Sequence, residues 1–228
     1  MLEISDIKVG YGDGLVVDGV SLQLGRGALA VLGRNGAGKT TLVKAIAGLL
    51  KPSAGDVRFE GSSLLRRRPD ERIRLGIVYV PQDRPVFADL TVADHFRLAE
   101  STAGARRRDR SEVLEIFPVL GDRFRQRAGT LSGGQRKFLA VATALVHSPR
   151  VLILDEPTEG MWPAVVDELA AVLASLKESI SVLLVEQNLP MALSVADHVL
   201  VLQRGRVVLE GSPEDVAQDP KLHAAIVV

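Results

Sequence analysis

Eight residues constrain this chain more than any others: Gly33-Arg34-Asn35-Gly36-Ala37-Gly38-Lys39-Thr40, with Thr41 following. They satisfy the pattern G-x-x-x-x-G-K-[ST] at every fixed position. Ala28 to Leu32, just before them, is a short apolar run between glycines and reads as a buried strand. Thr41 to Ala47, just after them, has helical spacing and stops at Gly48. Strand, glycine loop and helix in that order make a phosphate-binding loop. Glycines let the backbone close on phosphate oxygens, and the helix N-terminus adds partial positive charge. In such a loop Lys39 neutralises the β- and γ-phosphates and the Thr40 hydroxyl holds Mg²⁺. A glycine turn with a chance lysine does not account for this flanking order.

A second short apolar run, Val151-Leu152-Ile153-Leu154, ends in two acids, Asp155 and Glu156. Strand-end carboxylates lie where ligands bind in open α/β sheets. Asp155 is placed to reach Mg²⁺ through its water shell. Glu156, one residue on, points elsewhere and can orient or deprotonate a water. Further core strands are expected at Ile77 to Val80, ending at Gln82, and at Ser181 to Val185, ending at Glu186-Gln187-Asn188. A hairpin is expected across Arg204-Gly205. Ser212-Pro213-Glu214-Asp215 caps what reads as the last helix. Strands alternating with helices imply a mostly parallel sheet.

The remaining stretches frame this core. Leu2 to Leu24 reads as two strands around Gly10-Tyr11-Gly12-Asp13-Gly14. Tyr11 suits a strand end or a base-stacking platform equally well. Val57 to Gly61 reads as a short edge strand. Arg66-Arg67-Arg68 before Pro69-Asp70-Glu71-Arg72 reads as a solvated helix start. Leu90 to Arg127 has helical spacing and dense charge, including Arg106 to Arg110, and reads as a helical insertion. Leu131-Ser132-Gly133-Gly134-Gln135 opens an apolar helix, and Pro163 to Lys177 forms another.

Composition removes several classes. Lys plus Arg equals Asp plus Glu, 28 each, so a dedicated nucleic-acid binder, which carries a basic excess, is not expected. There is no cysteine, so no disulfide or thiolate site forms. The first residues lack the basic and apolar segments of a signal peptide. No apolar run approaches the roughly 20 residues that span a bilayer, so membrane association is expected only through partners. His95, His147, His198 and His223 show no metal-ligand spacing.

Taken together, Gly33 to Thr40, Gln82, Leu131 to Gln135, Val151 to Glu156 and Gln187 resemble the ATP-binding cassette (ABC) ATPases over essentially the whole chain. The resemblance implies one nucleotide-binding domain over 1–228. Within it, 1–84 and 148–228 form an antiparallel β subdomain plus a RecA-like phosphate-loop core, and 85–147 form a helical signature subdomain. It implies that ATP and Mg²⁺ are bound by Tyr11, stacking on adenine, by Gly33, Arg34, Asn35, Gly36, Ala37, Gly38, Lys39, Thr40 and Thr41, and by Gln82. Thr40, Gln82 and Asp155 face the metal, and Glu156, Gln187 and Lys39 are catalytic. Leu131, Ser132, Gly133, Gly134 and Gln135 contact ATP held by a second cassette.

The Gly-Tyr-Gly at Gly10 to Gly12, the loop Leu32 to Thr41, Glu-Pro-Thr-Glu-Gly at Glu156 to Gly160 and Val-Glu-Gln-Asn at Val185 to Asn188 resemble the ATPases of branched-chain amino acid (LivF-type) and urea importers most closely. That subgroup has glutamine where most cassettes have histidine, here Gln187. A glutamine amide donates a hydrogen bond to phosphate but does not titrate near neutral pH. Trp162 departs from the usual aspartate or small residue, and Thr143 from the usual arginine. The implied partners are a second cassette, different in sequence or identical, transmembrane permease subunits and, indirectly, a solute-binding protein. The implied location is peripheral, on the cytoplasmic face of the inner membrane. Alternatives are the ATPase of a lipid or lipopolysaccharide exporter and a soluble regulatory cassette.

Overall fold

The short apolar runs become strands of one sheet, and their alternation decides what covers each of its faces. The computed structural model describes residues 1–104 and 107–226. It begins with β1 (Leu2–Tyr11), β2 (Gly14–Leu24), β3 (Gly27–Leu32), α1 (Lys39–Ala47), β4 (Ala54–Phe59), β5 (Ser62–Ser63), α2 (Pro69–Leu75) and β6 (Ile77–Val80). Helices α3 (Val92–Thr102), α4 (Arg110–Ile116), α5 (Pro118–Asp122) and α6 (Gly133–Val146) follow. The chain then returns to the sheet with β7 (Val151–Asp155), α7 (Pro163–Leu176), β8 (Ser181–Glu186), α8 (Leu189–Val195), β9 (His198–Gln203) and β10 (Arg206–Gly211). It ends with α9 (Pro213–Gln218) and α10 (Pro220–Ile226).

The larger sheet has the order β10-β9-β3-β8-β7-β6, parallel except for β10. The smaller, β2-β1-β4-β5, is antiparallel. This is the expected α/β phosphate-loop fold. On one face of the larger sheet Leu29, Val31, Val151, Ile153, Leu183 and Val185 pack with Ile46 of α1 and with Ile4, Val20 and Val57 of the smaller sheet. On the other, Val78, Val80, Leu152, Leu154, Val182 and Leu184 pack with Phe96, Leu139 and Leu169 from α3, α6 and α7. Burial on both faces is why these strands read as unbroken apolar runs.

Three local expectations change. The strand read as an edge at Val57 lies inside its sheet, because β4 begins at Ala54 and pairs with β1 and β5. Glu60 and Gly61, both with positive φ (51° and 76°), make the tight turn that folds β5 back as the true edge. Ser212 does cap α9, its hydroxyl accepting from Asp215 N at 3.1 Å, but α10 follows and packs against β9 and β10. Arg106 lies outside the described residues, as does the side chain of His223.

The third change concerns Arg72, which is not solvated but only 3% exposed. Its guanidinium donates to the carbonyls of Ala45 (3.0 Å), Ile46 (2.7 Å), Leu64 (2.6 Å) and Arg67 (3.1 Å). Two of these belong to the last turn of α1, whose carbonyls have no partner within the helix. Arg72 therefore anchors the far end of the phosphate-loop helix. Ala45 O and Leu64 O also accept from the amides of Gly48 and Arg67, so Arg72→Met should leave the Ile46 and Arg67 carbonyls without a donor and cost about 3 kcal/mol, a melting-temperature fall of roughly 6–12 °C by calorimetry.

Candidate nucleotide site

The phosphate loop leaves the carboxyl end of β3 and enters α1 through Gly38. Gly38 has φ 105°, and a Cβ there would lie 3.3 Å from Val16 O and from Val17 Cγ2, so only glycine makes this approach without strain. Helices α3, α6, α8 and α9 have side-chain caps, whereas no side chain bonds the first amides of α1. Uncapped amides at a helix N-terminus form an anion site. Arg34, Asn35 and Gly36 are exposed at the loop rim, Gly33, Ala37, Gly38, Lys39 and Thr41 are buried, and Thr40 is half-buried.

The carboxyl ends of β3, β6, β7 and β8 lie side by side, which brings distant residues to this loop. Lys39 Nζ lies 2.9 Å from Glu156 Oε1 and also donates to Gly33 O (2.7 Å) and Arg34 O (3.2 Å). The Thr40 hydroxyl donates to Asp155 Oδ1 at 3.0 Å. Strand alternation alone would turn Glu156 away from Asp155. Instead Glu156 has φ 46°, a left-handed conformation costing a non-glycine residue about 1–3 kcal/mol. Its amide donates to Val185 O at 2.9 Å. This twist returns the carboxylate to the pocket, so both acids face the first turn of α1. Lys39, Thr40, Gln82 and Glu156 line that pocket with Val16 and the loop.

Gln82 follows β6. Its Nε2 donates to Glu156 Oε2 (3.3 Å) and Glu159 Oε2 (2.9 Å), and its carbonyl accepts from Lys137 Nζ at 2.7 Å. Lys137 sits on α6, which ties the signature helix to the Gln82 loop. Burial depresses the Lys137 pKa. Nothing in the sequence marked this lysine or Tyr79. The Tyr79 hydroxyl donates to Asp155 Oδ2 at 2.9 Å from the neighbouring strand. Burial raises the Asp155 pKa, and the hydrogen bonds from Tyr79 and Thr40 oppose it. Burial, reinforced by the Asp155 charge, pushes the phenol far above its ordinary value, so Tyr79 stays a donor.

Other predicted residues lie apart from this pocket. Tyr11 ends β1 with 52% exposure, its ring open to solvent. Gln187 is exposed at the end of β8 and does not line the pocket. Leu131 and Gly134 are buried and Ser132 and Gly133 exposed. Ser132 and Gln135 form a reciprocal cap, Gln135 N donating to Ser132 Oγ (3.2 Å) and Ser132 N to Gln135 Oε1 (3.1 Å). Gly133 borders a separate hollow with Gln82, Glu159 and Gly160. Trp162 is 81% exposed at the start of α7. Thr143 donates to Leu139 O and Ala140 O of its own helix. His95 is buried between Phe87 N and Thr91 O, and His198 meets Glu210 at 2.9 Å. Among the described residues no cluster of three acids, histidines or cysteines forms a metal cage. None of their helices is long and apolar enough to cross a membrane.

A phosphate loop at the carboxyl ends of parallel strands, with a lysine, a threonine and two strand-end acids converging on it, defines a phosphate-loop nucleotide hydrolase. The profile of the ABC transporter family matches residues 17–159, and the chain belongs to that family. It is 34% identical to the high-affinity branched-chain amino acid transport ATP-binding protein BraG of Pseudomonas aeruginosa, over 99% of this chain and 98% of that one. It is 36% identical to a probable branched-chain amino acid transport ATP-binding protein LivF of Archaeoglobus fulgidus, over 97% and 96% of the two chains. The crystal structure of a nucleotide-free ATP-binding cassette from an ABC transporter superposes with a TM-score of 0.89 at 27% identity, covering 100% of this chain and 98% of that one. The chain is an ATP-hydrolysing cassette of the kind that powers transport.

Proposed function

We propose that this cassette powers import of branched-chain amino acids or a similar small solute, working with a second cassette against membrane-embedded permease subunits. The observation that carries the catalytic part is the convergence of Lys39 with Glu156 (2.9 Å) and of Thr40 with Asp155 (3.0 Å) at adjoining strand ends. The names of the relatives over nearly full length support the solute class. They favour import over the lipid-exporter and regulatory alternatives. The permease site is the apolar groove beside the Gln82 loop, lined by Pro81, Pro85, Phe87 and Leu98. Phe87 at 62% and Leu98 at 44% exposure offer it an uncovered apolar rim. The fit is to a peripheral protein on the cytoplasmic membrane face, held there by its partners.

In this reading the loop amides and the N-terminus of α1 take the phosphates, and Tyr11 stacks on the adenine. Lys39 exchanges Glu156 and the loop carbonyls for β- and γ-phosphate oxygens. Thr40 and Asp155 suit Mg²⁺: a hydroxyl and a carboxylate oxygen meet in the pocket, and hard oxygen donors are what that ion takes. Gln82 lies beside them. When bound, Mg²⁺ would neutralise charge on the β- and γ-phosphates. Glu156 accepts the proton of a water that attacks the γ-phosphorus, the bond to the β–γ bridging oxygen breaks, and ADP and phosphate form. Gln187 donates to the γ-phosphate. The signature from Leu131 to Gln135 lies outside this pocket in its own chain, which suits a contact with ATP bound by a second cassette, and exposed Trp162 suits a contact with that same partner.

Tyr79 fixes the Asp155 carboxylate from behind. Tyr79→Phe should raise the Mg²⁺ concentration for half-maximal turnover about tenfold with little change in the maximal rate, measured by phosphate release across a Mg²⁺ titration. The whole reading is tested by tagging Glu156→Gln protein in its own host and solubilising membranes gently with ATP and Mg²⁺. Recovery of permease subunits with a second, different cassette is the expected outcome. One exporter-like membrane protein would favour the lipid-export reading. A chain that stays free of any membrane protein would overturn the transport role.

A further inference from the structure

Glu186 is a buried carboxylate near the site that the chemistry above leaves unused. It is 2% exposed at the end of β8, and among the described residues no cation lies within ion-pair distance of it. Burial raises its pKa, and the donors around it oppose that. A buried carboxylate is costly unless its lone pairs are filled. Here donors divide cleanly between its two oxygens. Oε1 accepts from Thr158 N (3.0 Å) and the Thr158 hydroxyl (2.7 Å). Oε2 accepts from Gln187 N and Asn188 N, both at 3.1 Å.

The two oxygens thus hold two different loops. Thr158 lies two residues after Glu156, in the turn where Glu159 N donates to Glu156 O (3.3 Å) and Met161 N to Thr158 O (3.0 Å). That turn leads directly to exposed Trp162. Gln187 and Asn188 form the turn after β8, and Asn188 caps α8 through Met191 N at 3.1 Å. The Glu156 amide also bonds Val185 O, so the two loops leave adjacent strands in fixed register. Beyond the strands, the Glu186 carboxylate bridges them, and α7 and α8, which follow the two loops, pack on each other.

We propose that Glu186 is a positioning residue for hydrolysis, locking the loop after Glu156 to the backbone of Gln187 so that the two catalytic groups move as one unit. The inference rests on the roles assigned above to Glu156 and Gln187. It also joins Trp162 to the γ-phosphate contact, since a displacement of the loop at Met161–Trp162 reaches Gln187 through Thr158 and Glu186. A glutamine at 186 cannot reproduce the lock. Whichever way its amide is turned, its NH₂ faces donors on one side, and one loop loses its acceptor. Aspartate keeps both acceptors on a shorter stem.

The test uses the tagged full-length chain as purified from its host, with turnover normalised to nucleotide-binding sites. Glu186→Gln should lower kcat about tenfold, as sub-ångström misplacement of reacting groups does. It should also narrow the preference for a non-hydrolysable ATP analogue over ADP, because Gln187 meets only the γ-phosphate, while ADP affinity holds. Glu186→Asp should recover much of both. A merely structural role would move ATP and ADP affinity together. Unchanged kcat per site and unchanged preference in Glu186→Gln would overturn the inference. Should that variant not fold, Thr158→Val removes one donor to Oε1 and is expected to lower kcat several-fold with the same selective loss; wild-type values there would equally overturn it. Glu156→Gln and Gln187→Ala measured alongside separate the two failures: if they too turn over normally, the assigned catalytic roles are at fault.

Discussion

Glu156→Gln should lower ATP turnover by about 10²–10³-fold while ATP still binds, because the substitution removes a proton acceptor and little volume. The site explains why the loss falls on the chemical step. Glu156 Oε1 is 2.9 Å from Lys39 Nζ, so the carboxylate competes for the ammonium that the phosphates require. A neutral amide competes less. Apparent ATP affinity should therefore stay level or tighten as turnover collapses. Initial rates of phosphate release, set beside equilibrium nucleotide binding on the same preparation, check both halves. A variant retaining a tenth or more of the wild-type rate would remove Glu156 from the role of general base.

Lys39→Met should do the reverse, striking binding before chemistry. Lys39 is 3% exposed and supplies the one lysine ammonium in the phosphate pocket. Losing charge-assisted hydrogen bonds worth about 3 kcal/mol corresponds to ATP affinity weakened on the order of 100-fold. There is a second consequence. Methionine fills the volume but leaves Glu156 Oε1 without its ammonium and the carbonyl of Gly33 without its donor. The unpaired group should cost about 1–3 kcal/mol, seen as a melting-temperature fall of roughly 2–12 °C. In the double variant Lys39→Met/Glu156→Gln the stability loss should shrink, since no unpaired charge remains, while ATP binding stays weak. Calorimetry and nucleotide titration on the four proteins of that cycle separate the pair's structural contribution from its role in binding.

Much of the architecture was legible because the information is local. Apolar runs such as Val151 to Leu154 and Val182 to Val185 announce strands buried on both faces, and the spacing of Thr41 to Ala47 announces the helix behind the loop. The pattern from Gly33 to Thr40 needs no tertiary context, because each glycine, the lysine and the threonine act through the backbone of their own turn. Reading failed where a residue's neighbours come from other elements. Arg72 looks solvated beside Arg66 to Arg68, and only the packing of α2 on the end of α1 turns it inward. Val57 looks like an edge because β5 is two residues long and has no pattern of its own.

What the sequence by itself determined is the chemical class of this chain: a nucleotide loop, strand-end acids and a glycine signature, each defined by residues close together in the chain. What only the tertiary structure decided is how those pieces meet. The left-handed backbone at Glu156 returns its carboxylate to Lys39, Tyr79 reaches Asp155 from the adjacent strand, and Lys137 bonds the Gln82 carbonyl from the signature helix. Glu186 joins two loops 28 residues apart. These contacts depend on strand register and on one unfavourable φ angle, and both are fixed by the packing of the whole sheet rather than by the preferences of the residues involved.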